Sequence, residues 1–105
     1  MSVVQFPGSG LTERDFKALR NEVARRLGRG QPGYVTRGVS ETGDMWAAIL
    51  DRPGGYPMQH FCREQGVYYV LDFTGPGAGR LVDASRRFDE VLKHLPKPSP
   101  RFTRT

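Results

Sequence analysis

A chain of 105 residues with a hydrophobic fraction of 37% and a formal net charge of +5 suits one domain with one core and is too short for two. Its single cysteine excludes a disulfide framework and a cysteine-rich zinc site. No apolar run approaches the roughly 20 residues that span a bilayer, and Met1–Phe6 lacks the basic start and long apolar stretch of a signal peptide. The expectation is a cytoplasmic protein that does not enter the membrane.

Residues 1–10 read as a flexible lead, broken by Pro7-Gly8-Ser9-Gly10. Val3–Phe6 is long enough to add an edge strand but too short to specify one. The first firm element is a helix from Glu13 to Leu27. Thr12 is a good N-cap, with Asp15 in the capping-box position and Leu11 and Phe16 at the two positions of a hydrophobic staple. Phe16, Leu19, Val23 and Leu27 recur on one helical face. Gly28 suits the C-terminal cap, and Arg25 and Arg26 suit the negative end of the dipole.

After the loop Gly28–Gly33 come four strand candidates: Tyr34–Val39, Met45–Leu50, Pro57–Arg63 and Val67–Phe73. Turn signals separate them at Glu41–Asp44, Arg52–Gly55 and Glu64–Gly66, with no helix between, which predicts an antiparallel meander. Thr74–Gly79 reads as a glycine-rich connector. A second helix is expected over Ala84–Leu95, capped by Asp83 or Ser85 and stopped by Pro96. The fold class is therefore α+β: a meander of three to four strands flanked by two helices, in two layers, over residues 11–96. Residues 97–105, with two prolines, three basic residues and no acid, read as a disordered basic tail.

A two-layer fold leaves one sheet face to water, so its strands should alternate apolar and polar. Met45–Leu50 and Val67–Phe73 do not. Each carries apolar groups on both faces. The second face therefore has to be covered. Either the chain covers it, with the two helices or one helix and the N-terminal segment on opposite faces, or a second copy or another protein does. For the latter, Trp46, Tyr68 and Val70 are the candidate anchors. A one-residue slip in register would exchange the faces.

The charge is unevenly placed. Thr12–Arg29 carries six basic and three acidic residues, the tail carries three basic residues, and residues 30–95 carry seven basic against eight acidic. Arg14, Lys17 and Arg25 lie along the helix face opposite its apolar stripe. With Lys97, Arg101 and Arg104 they form a candidate contact for nucleic acid or an acidic partner. Glu13–Lys17 and Glu22–Arg26 have the spacing of helical ion pairs.

Helix, antiparallel strands, helix is also the order of the double-stranded RNA-binding domain. Ser85-Arg86-Arg87, after Gly75, Gly77 and Gly79, resembles that family's serine followed by two lysines. The sequence departs from the family where Glu90 stands at its next basic position and Asp89 at its small residue. The resemblance implies a duplex-binding role only for that short stretch.

Nothing assigns a catalytic, metal or cofactor site. Gly75–Gly79 lacks the lysine and the spacing of a phosphate-binding loop. His60 and Cys62 share a strand face but lack the further ligands of zinc and the third group of a cysteine nucleophile. His94 suits the end of its helix, and Asp72 is the one carboxylate inside a strong strand. The leading expectation is a binding module that associates through the second sheet face, with the basic helix face and tail as the alternative.

Overall fold

The structure is a computed structural model and describes residues 8–26, 34–74 and 79–95. Val3–Phe6, the loop from Gly28 to Gly33, the segment 75–78, Leu27, Pro96 and the basic tail with Lys97, Arg101 and Arg104 lie outside the described residues.

The architecture is α+β: a five-stranded antiparallel meander with one helix before it and a short one after it. The elements are α1 (Glu13–Arg26), β1 (Val35–Val39), β2 (Met45–Leu50), β3 (Pro57–Glu64), β4 (Val67–Asp72), β5 (Arg80–Ser85) and α2 (Phe88–Leu92). The sheet order is β1-β2-β3-β4-β5, each strand beside its sequence neighbour.

The fifth strand corrects the expected Ala84–Leu95 helix. Arg80–Ser85 pairs with β4, and only Phe88–Leu92 is helical. Leu81 lies opposite Leu71 and Ala84 opposite Tyr69, so residues that fit a helical stripe instead fill strand positions. Local bonds divert the chain at the boundary. Asp83 Oδ1 accepts the amide of Ala84 at 2.8 Å, and Ser85 Oγ accepts the amide of Arg87 at 3.1 Å. Such side-chain bonds compete with helix formation. Asp83 caps no helix. Its Oδ2 meets His94 Nε2 at 2.9 Å and ties β5 to the end of α2.

The start of α1 follows the sequence expectation. The Asp15 amide donates to Thr12 Oγ1 at 3.1 Å, and the Thr12 amide donates to Asp15 Oδ2 at 2.9 Å. This reciprocal box satisfies two amides that the first turn would otherwise leave bare. The preceding segment is laced to the sheet by Gly10 N–H to Arg63 O (2.8 Å) and Leu11 N–H to Met45 O (2.8 Å). Those bonds fix where α1 enters the second layer.

Both helices lie on one face of the sheet. Leu19 and Val23 of α1 and Phe88, Val91 and Leu92 of α2 join Ala47, Ile49, Phe61 and Val70 in one buried cluster. Phe61 is fully buried at its centre, edge-on to Phe88 at 6.2 Å between ring centroids. Arg26 Nη1 donates to Lys93 O at 3.3 Å, joining the two helices. Gln59 is buried under the end of α2 and donates through Nε2 to the His94 carbonyl.

Register decides which residues share this covered face. The β3–β4 hairpin turns on Gln65 and Gly66, with φ of 51° and 80°, which pairs Glu64 with Val67. Positive φ at both central residues is the demand of a type I′ turn, and glycine meets it without strain. From that pairing, Arg63 stands opposite Tyr68, Phe61 opposite Val70 and Gln59 opposite Asp72. All of these side chains lie on the helix side.

Candidate functional site

The other face is built by the alternate residues. Trp46 and Ala48 come from β2, Met58, His60 and Cys62 from β3, Val67, Tyr69 and Leu71 from β4, and Leu81 and Ala84 from β5. No described helix covers it, because both helices pack on the opposite side. Among the described residues its one charged side chain is Glu64, at the tip of the β3–β4 hairpin. Leu81 is 55% exposed and Phe73, just past β4, is 37% exposed. Ala84 and Glu64 are exposed too, Ala48 is buried between its larger neighbours, and the remainder of the face is half-buried.

His60 sits at the middle of an aromatic row. The Trp46 ring lies 5.2 Å from it, tilted by 31°, and the Phe73 ring meets it edge-on at 6.3 Å. Its Nδ1 is buried without a hydrogen-bond partner among the described residues. Burial holds its pKa below the ordinary 6.5, so the ring is neutral at pH 7. Trp46 lies flat because β1 leaves room opposite it. A Cβ on Gly38 would come within 2.3 Å of Trp46 Cζ2. Burial, aided by the Glu64 carboxylate, pushes the Cys62 thiol up. It is therefore a weaker nucleophile than a free cysteine. Among the described residues no three His, Cys, Asp or Glu side chains gather as a metal site.

The sequence expectation named Trp46, Tyr68 and Val70 as one surface, and the structure separates them. Trp46 is on the open face, whereas Val70 is fully buried in the core. Tyr68 also faces the helices. Its ring lies 4.8 Å from that of Phe88, and its hydroxyl donates to Asp15 Oδ1 and Oδ2 at 3.0 and 3.1 Å. Burial and the Asp15 carboxylate raise the Tyr68 pKa. Both strands are apolar on both sides, so alternation alone could not say which β4 face joins Trp46. The two-residue turn decides it, and the residues that do join are Tyr69, Leu71 and Phe73.

The basic residues of α1 divide in the same way. Arg14, Lys17 and Arg20 are exposed and line an open groove of about 450 Å³ with Glu13, Phe16 and Arg37 of β1. Arg37 stacks over the Phe16 ring at 4.6 Å, and Arg20 reaches it at 6.0 Å. Glu13 pairs with Arg37 at 2.7 Å and not with Lys17. Arg25 is not part of the groove. It shares Glu22 with Arg26, at 2.9 and 3.1 Å, as the expected Glu22–Arg26 pair with one more cation. Arg20 and Arg37 are the additions that the helix pattern alone did not single out. Arg37 comes from another element, and Arg20 lies on the flank between the apolar and basic stripes.

The remaining candidates have structural partners. Asp72 accepts the amide and hydroxyl of Thr74 at 2.8 and 2.6 Å, which holds its carboxyl below the usual carboxylate range. Ser85-Arg86-Arg87 spans the end of β5 and the approach to α2, where Arg87 pairs with Asp89 at 2.9 Å. Comparison with protein-family models, with curated proteins and with solved structures gives no match.

Proposed function

We propose that the chain is a protein-interaction module that associates with a second copy of itself through the open sheet face. The observation that carries this reading is the run of Trp46, His60, Tyr69, Leu71, Phe73 and Leu81 across the sheet, with, among the described residues, charge only at the hairpin tip and no helix above it. Exposed apolar patches of this extent mark interaction sites. An aromatic anchor set is what such sites use.

A second copy suits the face better than a charged partner. The chain's net charge of +5 lies elsewhere, so face-to-face contact opposes no like charges across its centre. Five strands about 4.8 Å apart and about 3.3 Å per residue give a face of roughly 24 by 20 Å, so a pair buries on the order of 1,000 Å² in total. That is the lower bound for a specific interface, so the association proposed is a reversible one and not a permanent dimer. The reading assigns no catalytic role and no cofactor. Its half-buried single cysteine suits a cytoplasmic setting.

Amide NMR spectra recorded on dilution test the reading. It predicts concentration-dependent shifts at Trp46, His60, Tyr69, Leu71 and Phe73, with α1 unmoved. Spectra independent of concentration into the millimolar range would refute it. Shifts confined to α1 would place the contact elsewhere.

A further inference from the structure

The groove between α1 and β1 adjoins a sheet edge. Among the described residues β1 has no strand on its outer side, since the sheet begins with it. Its pairing with β2 is regular from Val35↔Ile49 to Val39↔Met45. The Ser40 amide donates to Asp44 O at 2.9 Å, which marks that pair as hydrogen-bonded. Antiparallel pairs alternate. Gly38 and Thr36 therefore turn their amides and carbonyls toward β2, and Val35, Arg37 and Val39 turn theirs outward. The opposite edge differs: β5 pairs with β4 through a register shift between Val70 and Leu71, the kind of irregularity that blunts an edge.

Beside the regular edge stand four cations, Arg14, Lys17, Arg20 and Arg37, against one carboxylate, Glu13. Arg14 and Lys17 have no acidic partner among the described residues. Glu13 shows what the groove receives. Both its oxygens lie within 2.8 Å of Arg37 Nη1, and its side chain is 80% exposed. It is a carboxylate held at the groove by one guanidinium and little else.

We infer that this groove binds an extended acidic peptide, which adds to the β1 edge as a sixth strand. The outward backbone groups of Val35, Arg37 and Val39 supply the ladder. Alternate side chains of the peptide point toward the helix side, where Arg14, Lys17, Arg20 and Arg37 meet carboxylates or phosphates on them. Strand addition gives affinity through the main chain, and the alternating pockets give selectivity. Glu13 competes for Arg37 from within the chain. The inference is independent of the open face, which lies on the other side of the sheet.

The test uses the full chain and a fluorescent peptide alternating threonine and glutamate, followed by anisotropy. The expected result is binding at about 50 mM salt that weakens about tenfold at about 500 mM. A peptide of the same sequence N-methylated at every backbone amide has the same charge but cannot donate to the ladder, and it should bind about tenfold more weakly. Lys17→Glu combined with Arg20→Glu should weaken binding about tenfold, and Glu13→Gln should strengthen it about threefold by freeing Arg37. These residues are exposed, and unchanged circular dichroism and melting confirm that the variants fold. Equal binding of the N-methylated peptide, or tighter binding of a single-stranded oligonucleotide of equal charge, would overturn strand addition in favour of a plain cationic surface. Absence of binding up to about 1 mM peptide at low salt would overturn the site itself.

Discussion

Tyr68→Phe removes one atom from the contact that holds the helix layer to the sheet. The Tyr68 hydroxyl lies 3.0 and 3.1 Å from the two oxygens of Asp15, whose residue is only 9% exposed. A hydrogen bond to a charged acceptor contributes about 1.5–3 kcal/mol. Two features place this one toward the lower end. The Thr12 amide stays on Asp15 Oδ2 at 2.9 Å, so the carboxylate keeps a donor. The ring keeps its place against Phe88, at 4.8 Å, so no packing is lost. The expected cost is about 1.5–2 kcal/mol, which for a domain of this size lowers Tm by roughly 6–15 °C. Urea denaturation and thermal melting measure it. Because Tyr68 faces the helices, the variant should self-associate as the native chain does. A cost below about 0.5 kcal/mol would refute the role of the Asp15–Tyr68 bond. Loss of association with native stability would return Tyr68 to the open face and refute the register.

Three further outcomes follow from single residues. The folded pKa of His60 lies below 6.5 because burial disfavours its charged form. The unfolded chain therefore binds the proton first as pH falls below that value, and stability drops until the folded pKa is passed and then levels. Denaturation midpoints for the native chain and His60→Phe across this window check it, and parallel curves would contradict it. Gly38→Ala places a methyl group against Trp46 Cζ2, so the indole must leave its seat, at a cost of about 1 kcal/mol and with red-shifted fluorescence. An unchanged emission maximum would show that the ring does not rest on Gly38. Phe61→Ala empties the centre of the core and should cost about 3–5 kcal/mol by urea denaturation. A cost near 1 kcal/mol would mean that the two layers are not packed through it.

Much of the fold was legible in local signals. The Thr12–Asp15 box, the amphipathic face of α1, the three turns and four of the five strands are each written within a few neighbouring residues. β5 was not, because Leu81 and Ala84 fit a helical stripe as well as a strand, and only pairing with β4 chooses between them. Trp46 was recognisable as an open-face residue, while Tyr68 and Val70 were assigned to the wrong side. In strands apolar on both faces, the partner across the sheet is settled by turn geometry and by where Asp15 finds its donor. Arg14 and Lys17 were visible in the helix pattern. Their neighbour Arg37 was not, because the groove exists only once β1 lies beside α1.

Sedimentation equilibrium of the native chain beside Leu81→Lys tests the open face most directly. Leu81 is 55% exposed, so lysine there leaves the fold intact, while a symmetric pair would bring two new charges onto a surface whose one described charge is at the hairpin tip. The account predicts a monomer–dimer equilibrium in the micromolar range for the native chain and a monomer for the variant. A native chain that stays monomeric at millimolar concentration, or a variant that dimerises equally well, would contradict it.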